Sequence, residues 1–157
     1  MPLYFAFGSN MHPAQMQQRC PGARAVGVAQ LADFAFSLTP RGGANIVSHR
    51  GQTVWGVLWR CTPAHLATLD AYEGVRIRNY RRAHVCVTDP AGAKRHAVTY
   101  RSDRRWPGRA RVDYMLTAVI PGAIAHALPA SYVAALQAFL PRVAIGEKRR
   151  RYRGRRV

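Results

Sequence analysis

The sequence predicts an α+β fold: a strongly bent, mostly antiparallel sheet or partial barrel with a few helices packed against it. Three observations carry this expectation. Six runs rich in β-branched and aromatic residues follow one another through brief turn signals, and short connections favour antiparallel pairing because parallel pairs need long crossovers. One of those runs is apolar on both faces, as a central strand must be. Helical patterns are few, and the longest stretch lies late in the chain.

Taken in order, Leu3 to Phe7 is a short apolar run ended by Gly8, the pattern of a buried strand closing in a turn. Ala14 to Arg19 reads as a short helix, with Pro13 suited to its first turn and Cys20-Pro21-Gly22 stopping it. Val26 to Leu31, Phe34 to Thr39, Asn45 to Ser48, Thr53 to Cys61, Tyr80 to Thr88 and Lys94 to Tyr100 read as strands. Turns such as Arg41-Gly42-Gly43 and Asp89-Pro90-Ala91-Gly92 separate them. Within Thr53 to Trp59, Trp55, Val57 and Trp59 fall on one side and Val54, Gly56 and Leu58 on the other. Thr62-Pro63 is a helix start and Gly74 its stop. A helix from about Asp113 to Ala127, interrupted at Pro121-Gly122, precedes one from Pro129 to about Phe139 whose Tyr132, Leu136 and Phe139 form an apolar face.

With 157 residues, 48% of them apolar, the chain has enough material for one core, expected over residues 1–141 with a basic, flexible tail over 142–157. No apolar run approaches the roughly 20 residues that span a bilayer, and no signal segment is visible, so a soluble cytoplasmic protein without membrane partners is expected. Cys20, Cys61 and Cys86 are odd in number and lack metal-ligand spacing, so all three are read as structural, Cys61 and Cys86 packing as small apolar groups in strands. The formal charge is +17, from 24 basic residues against 7 acidic ones, and 22 of the basic residues are arginine. Lys148 to Arg156 supplies seven of those charges, and removing them leaves +10. Such a body attracts anionic small molecules, nucleic acid or acidic surfaces alike, or is simply well solvated.

Two stretches carry chemistry. At about 100° per residue, Leu66 and Leu69 define the buried stripe of the helix after Thr62, and Glu73 falls within roughly 10° of its centre while Asp70 sits at its margin. A buried carboxylate lacking a cation has its pKa raised and becomes a competent base near neutral pH. The opposing reading unwinds the helix before Gly74 and leaves Glu73 in solvent or paired with Arg76, Arg78, Arg81 or Arg82. The second stretch is Gly8, Ser9 and Asn10, between a buried strand and a helix, whose backbone N–H groups are candidates for holding a carboxylate or an oxyanion. Ser9 as a covalent nucleophile would need a base and an orienting third group, and none of the six histidines is spaced to mark it as that base.

Tyr4-Phe5-Ala6-Phe7-Gly8-Ser9-Asn10-Met11, Val54 to Trp59, Leu69 to Val75, Tyr114, Gly122-Ala123 and Leu128 to Tyr132 occur in the order, and nearly over the span, in which the sequence resembles the γ-glutamylcyclotransferases and their AIG2-like relatives. The resemblance implies a bent barrel, no metal or cofactor, and conversion of a γ-glutamyl amine or peptide into 5-oxoproline and a free amine. It implies that Tyr4, Phe5, Ala6, Phe7, Gly8, Ser9 and Asn10 bind the γ-glutamyl group, that Glu73 is the general base and acid, and that Tyr114 joins the site. Two positions depart from the family: Phe7 stands where a tyrosine is usual, and Arg109-Ala110-Arg111-Val112-Asp113 replaces a Pro-Ser helix start. The expected consequence of the second is a later helix start, capped by Asp113 and shifting Tyr114.

The expected partner is therefore a small γ-glutamyl molecule: an amino acid conjugate, glutathione, a γ-glutamyl amine or a biosynthetic intermediate. The rival reading is a non-catalytic anion- or nucleic-acid-binding module on the same fold, drawing on the tail, the basic run Arg101 to Arg111 and Trp106. Monomer and homodimer are equally compatible with the sequence.

Overall fold

The computed structural model describes residues 1–104 and 106–141, so the tail expected over 142–157 lies outside the described residues. Five strands, β1 (Leu3–Ala6), β2 (Arg24–Leu38), β3 (Ala44–Arg60), β4 (Arg81–Thr88) and β5 (Lys94–Arg101), close into a barrel in the order β1-β3-β2-β4-β5. Every pairing is antiparallel except β1 with β5, which meet in parallel at Tyr4 and Val98.

Four expected strands become two. β2 and β3 form a single long hairpin, paired from Arg24 with Arg60 to Leu38 with Ala44. The break anticipated after Leu31 is a bulge: the register shifts between Ala32 and Phe34, and Asp33 takes φ 63° while its carboxylate accepts from the Gly51 amide at 2.9 Å. A bulge bends and twists the pair without reversing it, which is what a closing barrel requires. β3 pairs with β1 on one edge and β2 on the other, and its two apolar faces serve two cores. Val54 and Leu58 join Phe5, Leu31, Ile46 and Val87 in filling the barrel. Val57 and Trp59 join Tyr4, Leu69, Met115 and Ile120 beneath the helices. The same alternation on β1 sends Leu3, Phe5 and Phe7 inward and Tyr4 and Ala6 toward the helices.

The helices are α1 (Pro13–Arg19), α2 (Pro63–Glu73), α3 (Val112–Tyr114), α4 (Ile120–Ala125) and α5 (Ala130–Gln137). α2 starts as a capping box: Thr62 Oγ1 accepts from the His65 amide and His65 Nδ1 accepts from the Thr62 amide, both at 3.1 Å. Pro121, lacking an N–H, does not break the late helix. A wider π turn over Met115–Val119 carries the chain from α3 into α4. α3 begins at Val112 with Arg111 at its cap, and Asp113 lies in its first turn, so the later start expected from Asp113 is corrected. On α5 only Leu136 is fully buried. Phe139 lies past its end and packs edge-on against Phe36, ring centres 5.2 Å apart. Cys20 and Cys61 are buried, whereas Cys86 is exposed on β4 and does not pack as expected. No helix among the described residues is long and apolar enough to cross a membrane.

Asn45 fixes the mouth of the barrel next to Ala44. Its buried carboxamide donates to the Ser102 carbonyl at 3.1 Å and accepts from the Ser102 amide at 2.9 Å, extending β3 toward the segment after β5. Asn45→Ala leaves both buried backbone groups unpaired, and a loss of about 2–4 kcal/mol is expected in denaturant unfolding. A change of under about 0.5 kcal/mol would show that the bridge contributes little.

Candidate active site

β1 delivers the loop. Beyond Phe7 the chain turns at Gly8 and enters a single 3-10 turn, Ser9–Met11, closed by Met11 N–H to Gly8 O at 3.1 Å and His12 N–H to Ser9 O at 3.0 Å. These bonds use the carbonyls. The Ser9 amide donates to the Tyr114 phenol oxygen, whereas the amides of Gly8 and Asn10 keep no acceptor among the described residues, as expected where a turn opens. Buried Asn10 locks the loop from behind: its Nδ2 donates to the Tyr4 hydroxyl at 3.0 Å, and its Oδ1 accepts from Gln15 Nε2 and Arg19 Nη1, each at 3.0 Å. Gln15 also donates to Ser9 Oγ at 2.6 Å, and the Ser9 side chain hydrogen-bonds the Tyr114 phenol as well, so its partners are an amide and a phenol and not a base.

Across from the loop stands the last residue of α2. Gly74 ends that helix in the left-handed region, φ 63° and ψ 41°, and the returning chain bonds back to it through Asn79 N–H to Gly74 O and Tyr80 N–H to Glu73 O. This cap fixes Glu73 and Tyr80 side by side. The cleft between them and the loop is lined by Tyr4, Phe7, Gly8, Ser9, Asn10, Ala44, Glu73, Tyr80, Tyr100 and Tyr114, and its atom-free space is about 310 Å³ including its mouth to solvent.

The Glu73 carboxyl has no hydrogen-bond or ion-pair partner among the described residues. Burial pushes its carboxyl up from 4.5 to about 7, opposed in part by the nearby charge of Arg19. Of the four arginines that could have neutralised it, Arg76 and Arg78 are exposed and the other two are used elsewhere. Arg82 forks onto Asp70 with two bonds of 2.7 Å, and Arg81 reaches Asp103 at 2.9 Å. Asp70, one turn earlier on the same helix, is the contrast: burial would raise it, but Arg82 and the Tyr100 hydroxyl, 2.7 Å away, hold it below the usual range. Two acids on one helix thus have opposite proton affinities.

Tyr114 reaches the cleft from α3. A side chain on Gly8 would meet its hydroxyl at 3.1 Å and Ala44 Cβ at 2.9 Å, so the glycine is what lets loop and phenol come together. Tyr80 Oη donates to the Ala44 carbonyl at 2.7 Å. Burial raises the phenols of Tyr4, Tyr80, Tyr100 and Tyr114, and Glu73's charge adds to this at Tyr4, Tyr80 and Tyr114. They remain protonated donors near neutral pH.

Of the residues singled out in the sequence, Tyr4, Phe7, Gly8, Ser9, Asn10, Glu73 and Tyr114 line one cleft. Phe5 and Ala6 do not line it: Phe5 fills the barrel and Ala6 packs in the core beneath the helices. Phe7 brings no hydroxyl, and the cleft's phenols come from the four tyrosines. Ala44, Tyr80 and Tyr100, and Gln15 and Arg19 behind the loop, were missed. Their positions depend on the hairpin register and the Gly74 cap, which leave no local motif, although Tyr80's nearness in sequence to Glu73 was a usable hint.

The AIG2-like family model matches residues 53–136. γ-Glutamylcyclotransferase of Bos taurus is 36% identical over 110 residues, covering 64% of this chain and 57% of the bovine protein. The mouse γ-glutamylcyclotransferase, from Mus musculus, is 30% identical over 149 residues, covering 88% of this chain and 79% of the mouse protein. A solved structure titled γ-glutamyl cyclotransferase superposes with a TM-score of 0.82 at 29% identity, over 88% of each chain. The chain spans little more than half the length of the bovine relative.

The raised Glu73 carboxyl has a cost in stability with a defined sign. Its folded-state value lies above its unfolded one, so stability is greatest below about pH 4.5 as far as this group is concerned and is lost as pH rises toward about 7. Glu73→Gln is expected to stabilise the protein by about 1–3 kcal/mol near pH 8 and by almost nothing near pH 4, measured by urea unfolding at both. Equal effects at the two pH values would mean the carboxylate is not desolvated.

Proposed function

The chain belongs to the AIG2-like, γ-glutamylcyclotransferase family, and from that premise we propose that its cleft cyclises a γ-glutamyl amine or peptide to 5-oxoproline with release of the amine. The supporting observation is an unpaired, desolvated carboxylate, Glu73, facing the Gly8–Asn10 loop across one cleft.

A γ-glutamyl group carries its own nucleophile, so the protein has to fold the chain and move two protons from the attacking nitrogen to the departing one. Glu73 takes a proton from the substrate's α-ammonium, and the freed amine attacks the γ-carbonyl carbon, forming the ring C–N bond and a tetrahedral oxyanion. Collapse of that intermediate breaks the original C–N bond as the Glu73 carboxyl gives its proton to the departing nitrogen, and the carboxylate then takes the second proton from the ring nitrogen, which leaves with the amine as its ammonium. No water is consumed and no net proton is gained. The amides of Gly8 and Asn10 serve either the γ-oxyanion or the substrate's α-carboxylate. The phenols donate hydrogen bonds without competing for the proton. Arg19, through Asn10, keeps the loop in place and limits how far the Glu73 carboxyl rises.

The nucleic-acid reading gains nothing from this cleft, because Glu73 when ionised repels phosphate. The basic tail on which that reading drew lies outside the described residues.

Glu73→Gln is expected to lower the turnover of γ-glutamyl compounds by about 10²–10⁴-fold while circular dichroism stays native. The wild-type kcat/KM is expected to rise with pH and level off above about 7, following deprotonation of Glu73. A mutant retaining wild-type release of 5-oxoproline would remove Glu73 from the mechanism.

A further inference from the structure

Away from the cleft, the molecule has a second hollow where the chain after β5 crosses the β2–β3 hairpin. Two anchors hold that crossing. At one, Asn45 bridges to Ser102; at the other, Gly108 lies so close to the hairpin turn that a Cβ on it would meet the Thr39 and Pro40 carbonyl oxygens at 2.4 and 2.5 Å. Between the anchors, Ser37, Val47, Ser48, Arg101 and Pro107 line an atom-free space of about 650 Å³ including its mouth, against about 310 Å³ for the cleft. Small-molecule sites span roughly 300–1,000 Å³, so the hollow has room for a ligand. It shares no lining residue with the cleft.

Its lining is that of an anion site. Arg101 is half-buried at the end of β5, with its guanidinium carbon 5.2 Å from the centre of the Phe34 ring, and the ring restricts where the cation can go. With five N–H donors, a guanidinium serves several acceptors at once. Ser37 and Ser48 add hydroxyls from the two strands of the hairpin, Val47 and Pro107 add apolar wall, and no carboxylate is among the lining residues. Exposed Arg104 and Arg109 on the crossing segment strengthen the positive field around it. Donors carried on three strands suit the three outward oxygens of a phosphate better than the two coplanar oxygens of a carboxylate.

We propose that this hollow is a binding site for a phosphate monoester, separate from the catalytic cleft, with Arg101 as the charge partner and Ser37 and Ser48 as flanking donors. The inference does not depend on the cyclotransferase reading, because none of these residues lines the cleft. The phosphate can be carried by a sugar or by a nucleotide. Trp106, the residue before Pro107, is 80% exposed and offers a stacking face that only a nucleotide base would use.

The test follows the backbone amides of the full, ¹⁵N-labelled chain by NMR at constant ionic strength, during titration with ribose 5-phosphate, adenosine 5′-monophosphate and, as the carboxylate control, acetate. The amides of Ser37, Ser48 and Arg101 are expected to shift saturably with both phosphate esters and not with acetate. Arg101→Gln is expected to weaken that binding by about tenfold or more, the size of a lost charge-assisted hydrogen bond, and Arg101→Lys, which keeps the charge but not the fork, to weaken it less. Tighter binding of the nucleotide that Trp106→Ala removes supports the site and identifies a nucleotide; equal binding of the two esters supports it and identifies the phosphate alone. Shifts confined to the Gly8–Asn10 loop overturn the inference, as do unchanged binding in Arg101→Gln and an equal response to acetate. If Arg101→Gln fails to fold, Ser48→Ala at its exposed position decides: about threefold weaker binding supports the site, and unchanged binding overturns it.

Discussion

Taking a carboxylate out of water without giving it a cation costs free energy, and the cleft is organised around keeping Glu73 in that state. The left-handed cap at Gly74 ends α2 immediately after the acid and folds Tyr80 back against it. Asp70 engages Arg82 and Asp103 engages Arg81, so neither arginine pairs with Glu73. Four of the residues lining the cleft with it are phenols, which solvate a proton in transit but do not supply a full opposing charge. Stability given up at one acid is offset by packing elsewhere, the usual arrangement where function requires a group to be held in an unfavourable state.

The barrel supplies the other half. Alternation along β1 puts Tyr4 under the helices and Phe5 in the interior, so the strand ends with its loop amides turned toward α2. Asn10 then ties that loop to Tyr4, Gln15 and Arg19 through three side-chain bonds. Base and donors are thereby carried on separate elements, and the loop is braced on β1 and α1 through one buried carboxamide network. The arrangement needs no long mobile loop between them.

Much of this was legible in the sequence because it is local. Thr62-Pro63 and Gly74 bounded α2 through capping chemistry, and helical phase placed Glu73 inward and Asp70 at the margin. The two apolar faces of Thr53 to Trp59 marked a central strand. What failed was non-local. The gap between Leu31 and Phe34 looked like a break between strands but is a bulge at Asp33, whose side-chain bond to Gly51 on the opposite strand accompanies the resumed pairing. Pro121 looked like a stop but is absorbed by a π turn, and Asp113 looked like a cap while Arg111 holds that place. Tyr80 and Tyr100 enter the cleft through register and capping, which no spacing in the chain announces.

The central claim, that Glu73 is a sheltered acid poised near neutrality opposite the loop of β1, is tested most directly by following its side-chain carboxyl carbon by NMR through a pH titration of the intact protein. The account expects a midpoint near 7, set by burial and moderated by Arg19. A midpoint near the ordinary 4.5 would mean that water or a cation reaches the carboxylate, and the proposed proton transfer would lose its physical basis.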